Sequence, residues 1–189
     1  MLLDKFSPIY DFNEVHSITI HASPDRIFRA VKEVTPAEMP IFTLLIGLRS
    51  LPALLTGKRG RGRNFSNTQP LIGTALSSSF VLLAEQPNRE LVVGTIGQFW
   101  RAAGGAYRVA DAQEFLASCP PGYAKAAMNF FVYHKPGSAG TRLRTETRIY
   151  IPDPGARRRF AAYWRVIYPG SAVIRIAWLR AIKHRAERS

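Results

Sequence analysis

Residues 141–153 read TRLRTETRIYIPD, with Arg142, Arg144, Glu146 and Arg148 at the even positions. Thr141, Leu143, Thr145, Thr147 and Ile149 take the odd ones. A period of two is that of a β-strand, whose successive side chains point to opposite faces. The strand runs into PDPGARRRF, where Asp153 supplies an N-cap and Pro154 suits the first helical position. Upstream, YAKAAMNFFVYH (123–134) is joined to the strand by KPGSAG, which reads as a hairpin. Pairing His134 with Thr141 gathers Ala126, Met128, Phe130 and Val132 on one face with Leu143, Thr145, Thr147 and Ile149. The other face then holds Lys125, Asn129, Phe131 and Tyr133 beside the charged even positions. A slip of one residue would mix the two sets, so the pattern selects this register. The charged face is expected in solvent, with Glu146 tied to its arginines and to Lys125. The apolar face needs a cover.

The C-terminal segment supplies one. Phe160, Trp164, Ile167, Ser171, Ile174 and Trp178 step by four and three, a helical stripe of about five turns. Arg157, Arg165, Arg175, Lys183 and Arg188 lie mostly off it. An interruption is expected at Pro169-Gly170, because proline removes a helix donor and clashes with the preceding turn. Most of the stripe reads as plain helix-on-sheet core, and Ser171, small among large neighbours, leaves a gap in it.

Working back along the chain, EVHSITIH (14–21) reads as a strand and Ser23-Pro24 as the start of a helix, DRIFRAVKEV, with Ile27, Phe28, Val31 and Val34 on one side. A second helix is expected over Ile41–Leu55, approached through Pro36–Met39 and strained at Pro52. GKRGRGRN (57–64) reads as a basic exposed loop. SSSFVLLAE and RELVVGTIGQFW flank a turn at Gln86-Pro87-Asn88, and Gly94 and Gly97 read as a bulge or strand bend. A short helix is expected near Asp111–Ser118. Strand, helices, sequential hairpins and a long last helix make an α+β domain spanning 1–189.

Three stretches, ITIHASPDRIFRAV (18–31), TETRIYIPDPGARRRFAAYW (145–164) and PGSAVIRIAWLRAIKHRAE (169–187), resemble the START-related helix-grip superfamily, also called SRPBCC. The two C-terminal stretches are similar to a bacterial branch of its polyketide cyclase-like and lipid-binding members. The resemblance implies a curved antiparallel sheet gripping a long C-terminal helix, with two short helices after the first strand. It also implies a cavity for a hydrophobic or amphipathic molecule between sheet and helix. Phe42, Phe99, Trp100, Met128, Phe130, Trp164, Ile167, Ser171, Ile174 and Trp178 are the expected ligand-binding residues. Superfamily members bind, transport, cyclise or hydrolyse, so an enzyme of cyclase or hydrolase type is the alternative.

Chemistry-bearing motifs are sparse. His16 and His21 lie five apart on a strand and face opposite sides; His134 abuts a turn and His184 lies among basic residues. No Cys-His pairing, HExxH, phosphate-binding loop or GxSxG elbow occurs, and no metal or cofactor is expected. Glu146 among arginines should stay ionised and make a poor acid. Tyr107, Tyr123, Tyr163 and Arg101 are candidate donors to a ligand.

The formal charge of +13 is lopsided: residues 1–95 hold 10 Lys/Arg against 8 Asp/Glu, and residues 96–189 hold 16 against 5. Nucleic acid or an anionic membrane is the charge-driven alternative, through 57–63 and the arginines at 157–159, which oppose the helix dipole. Aromatic interleaving in the basic loop is weak, and arginine supplies most of the 26 cations, so solvation is the simpler role and nucleic acid is not the expected partner. Cys119, the single cysteine, excludes an internal disulfide. The acidic start of MLLDKFSPIYDFNE does not read as a signal peptide, and no run approaches the roughly 20 apolar residues of a membrane span. A cytoplasmic protein is expected.

Overall fold

A computed structural model describes residues 1–39, 68–101, 105–134, 137 and 139–188. The expected second helix at 41–55, the basic loop and Phe42 lie outside the described residues. The elements run α1 (Leu3–Phe6), β1 (Phe12–Ile20), α2 (Pro24–Glu33), a 3-10 turn (Pro36–Glu38), α3 (Leu71–Leu76), β2 (Val81–Gln86) and β3 (Glu90–Gly97). They continue as β4 (Ala106–Tyr107), α4 (Ala112–Ala117), β5 (Ala124–His134), β6 (Thr141–Tyr150) and α5 (Pro154–Arg188).

The strands form one antiparallel sheet in the order β1-β6-β5-β3-β2, with β4 also on β3. The fold is α+β of helix-grip form, a sheet wrapped on a long C-terminal helix. The central hairpin has the register its alternation demands, His134 opposite Thr141 through Lys125 opposite Tyr150. Phe130 and Val132 on its inner face are buried with Leu143 against Trp178, Leu179 and Ile182 of α5. The β2–β3 turn follows Gln86 and runs over residues 87–89, closed by the Arg89 N–H donating to the Gln86 carbonyl, with Asn88 at φ 60°.

Local signals account for the helix starts. Ser23 stands in extended backbone before Pro24, and α2 buries Ile27, Phe28 and Val31, with Val34 just beyond its end. Asp111 accepts from the Glu114 N–H at the head of α4, and Asp153 accepts from the Ala156 N–H at the head of α5. Arg157, opposed to the dipole there, meets Asp11 Oδ1 at 3.2 Å and donates to the Ile151 carbonyl.

Three expectations require correction. First, α5 is continuous through Pro169 and Gly170. Pro169 and Arg165, whose carbonyl loses its helix donor, both lie on the exposed side, where water can replace the lost bond. Second, the bulge lies in β2, between Leu82 and Ala84. Gly94 instead clears room for α4, because a Cβ there would stand 2.6 Å from the Phe115 ring.

Third, the charged face of β6 is not open to solvent. Glu146 and Arg148 are 2% and 7% exposed, while Arg142 and Arg144 are partly covered. The N-terminal segment crosses this face and brings Asp4 and the Ser7 carbonyl to Arg148. Lys125 does not join Glu146; its ammonium donates to the Leu116 carbonyl and lies over the Phe115 ring. The sheet is therefore covered on both sides, by α2 and α5 within and by α1 and α4 without. Among the described residues no helix is long and apolar enough to cross a membrane.

Candidate functional site

Two apolar clusters hold α5 to the inner face of the sheet. Near its start, Phe160 is buried among Phe12, Phe99, Trp100, Tyr163 and Trp164, with ring centroids 5.0–6.4 Å away. Near its end, Trp178 meets Phe130 edge-on at 5.0 Å and joins Leu179 and Ile182 in the main core. Between the clusters the helix stands over a cavity of about 370 Å³. That volume lies within the range of small-molecule sites.

Of the residues nominated from sequence, the helix contributes Trp164, Ile167, Ser171, Ile174 and Trp178 to the lining, and the sheet side contributes Phe99 and Met128. Phe130 and Trp100 stand behind the wall, supporting Trp178 and Phe160. Ala126, Ile149, Thr147 and Thr95 line the sheet wall, and Phe80 and Tyr163 also line the space. Gly170 also faces the space, and a Cβ built on it meets nothing within 4 Å. Tyr107 and Tyr123 pack on each other in the outer cluster, and Arg101 donates to Gln98, so none of these donors lines the cavity.

One patch of the wall is polar, and sequence reasoning passed over its two charged members. Glu14, on β1 opposite Thr147, is 4% exposed. Its Oε2 accepts from Ser171 Oγ at 2.7 Å, and His16 Nε2 lies 2.8 Å from its Oε1. Arg175 turns inward from α5, donating through Nη2 to Thr147 Oγ1 at 2.8 Å and through Nη1 to Met128 Sδ. Its guanidinium also stands 5.8 Å from the Trp178 ring centroid. Burial pushes the Arg175 pKa down to about 10, against the opposing pull of Glu14, so the group is a cation at neutral pH.

The signal for Glu14 was present in the strand's alternation. Glu14, His16, Ile18 and Ile20 share a face by period two, so the face that packs Ile20 in the core carries Glu14 and His16 inward. Chemically, the site offers an apolar enclosure with one place where hydrogen bonds of both senses are on offer. Glu146, weighed as a possible acid or base, lies on the outer face of the sheet and does not reach the cavity.

No protein-family model matches the chain, and no curated protein matches it in sequence. Solved structures similar to it include protein MLL2253 from Mesorhizobium loti, at 15% identity and TM-score 0.41, covering 94% of this chain and 98% of that one. DR_A0006 from Deinococcus radiodurans is similar at 10% identity and TM-score 0.34, over 85% of this chain and 99% of that one. Ara h 8.0201 is similar at 7% identity and TM-score 0.28, over 94% of this chain and 99% of that one.

Proposed function

We propose that the protein binds a hydrophobic or amphipathic small molecule between its sheet and its C-terminal helix. The observation that carries this reading is the cavity beneath the middle of α5, apolar over most of its wall and polar at Glu14, Ser171 and Arg175. A well-packed helix-on-sheet core leaves few voids larger than a water molecule. A space of about 370 Å³ kept open by a small residue at each of two neighbouring positions, Gly170 and Ser171, is of another kind. A ligand burying roughly 200 Å² of apolar surface there would gain about 5 kcal/mol before the costs of association. A cytoplasmic setting suits the lone thiol, Cys119.

The test is titration with a neutral fluorescent probe, N-phenylnaphthylamine, against the natural sequence and Gly170→Trp. The indole would start in open space and fill the cavity, while tryptophan suits a helix better than glycine. Binding should weaken at least tenfold with the circular dichroism spectrum unchanged. No binding to the natural sequence, or equal binding to both, would overturn the reading.

A second reading is an enzyme of cyclase or hydrolase type on the same scaffold. It is favoured by one observation, a buried carboxylate with a histidine beside it at an apolar cavity. In that case Glu14→Gln would retain probe binding and lose turnover of any candidate substrate.

A further inference from the structure

The polar patch has a particular charge arithmetic. Glu14 and Thr147 face each other across β1 and β6, and Ser171 and Arg175 stand one turn apart above them on α5. No carboxylate of the described residues comes within 4.0 Å of Arg175, yet Glu14 acts on it through space. One carboxylate and one guanidinium therefore share a wall without touching. A guanidinium carries five N–H donors, and of the two contacts made here one is to a thioether, a weak acceptor. A carboxylate has about four acceptor sites, and Glu14 uses one each for Ser171 and His16. Hydrogen-bonding capacity of both senses is left over at one spot.

We propose that the ligand's polar end is a hydroxyl group, which donates to Glu14 and accepts from Arg175, so that the preferred ligand is an uncharged long-chain or ring-system alcohol. This rests on the reading of the cavity as a ligand site. A carboxylate head would satisfy Arg175 but meet Glu14 as a like charge, and an ammonium head would do the reverse. Either would add a third, uncompensated charge to a desolvated wall whose own two charges cancel. An ether or ketone accepts and cannot donate, so it answers only the Arg175 half. A hydroxyl is donor and acceptor in one atom.

The experiment is displacement of N-phenylnaphthylamine by decanol, its methyl ether, decanoate and decylamine. Decanol should displace the probe at about tenfold lower concentration than the ether, although the ether is the less polar of the two. In Glu14→Gln, where the cation survives alone, decanoate should gain at least tenfold and overtake decylamine. In Arg175→Met, where the carboxylate survives alone, decylamine should gain over decanoate by a similar factor. Equal displacement by alcohol and ether, or no exchange of preference between the two charge variants, would overturn the hydroxyl assignment while leaving the cavity as a binding site. Failure of the probe and of every ligand to bind would instead overturn the cavity reading itself.

Discussion

Arg148 is held at four points on the outer face of the sheet. Its Nε donates to Glu146 Oε1 at 2.8 Å, its Nη1 meets Asp4 Oδ1 and the Ser7 carbonyl at 2.9 Å, and the Tyr10 ring lies 4.9 Å away. Glu146 also takes Arg144 at 2.6 Å, and its backbone N–H donates to Asn129, whose amide donates to Glu90. Glu90 in turn accepts from the backbone N–H groups of Leu2 and Leu3. The network latches the N-terminal segment to the sheet. Hydrogen bonds to Glu146 and Asp4 outweigh burial and hold Arg148 above the usual arginine range. Removing one partner of such a pair leaves a buried charge uncompensated, so Arg148→Ala should cost about 3 kcal/mol or more. Arg142, which among the described residues donates to the Ser17 and Thr19 hydroxyls, should cost about 1 kcal/mol or less as Arg142→Ala. Denaturant unfolding of both variants makes the comparison, and equal losses would refute the latch. The period of two in TRLRTETRIY told which residues share this face but not what covers it. The cover is a segment some 140 positions away in sequence, carrying no pattern that points to β6.

At the scale of the element, α5 is a 35-residue helix with the two weakest residues of its interior, Pro169 and Gly170, side by side, the proline on the exposed side and the glycine toward the cavity. Propensity at that point is poor, yet tertiary packing overrides it, because the Phe160 and Trp178 clusters hold the helix on either side of the pair. The apolar stripe was readable, since spacing by three and four identifies the face toward the sheet. The inward turn of Arg175 was not. It follows Ile174 by 100° around the helix, and its long stem lets the guanidinium reach Thr147 from a position off the stripe. Gly170→Ala adds a methyl that touches nothing and removes the entropic cost of a helical glycine. It should stabilise the protein by about 0.5–1 kcal/mol, read as a melting temperature raised by roughly 1–4 °C. A lower melting temperature would mean that the backbone at this point needs glycine, and that the helix over the cavity is held in a form alanine disfavours.

For the whole molecule, the question is whether the charge of +13 is a function or a composition. The structure puts several of the arginines to internal use. Arg148 holds the N-terminal segment, Arg157 meets Asp11, Arg185 joins α5 to Glu33 and Glu38, and Arg175 faces the cavity. Such cations are already neutralised or enclosed and release no counterions to a phosphate backbone. An apolar ligand held between helix and sheet is bound mainly by buried area, a term that salt barely weakens. Nucleic acid held by surface arginines would instead lose affinity steeply with salt, in proportion to the phosphates neutralised. Two titrations at low and moderate salt separate the cases, one with N-phenylnaphthylamine and one with a short oligonucleotide. Probe affinity should change less than about twofold between them, whereas oligonucleotide binding should be weak at low salt and fall at least tenfold. An oligonucleotide that stayed tightly bound at moderate salt, with no probe bound, would make the basic surface the site and the cavity incidental.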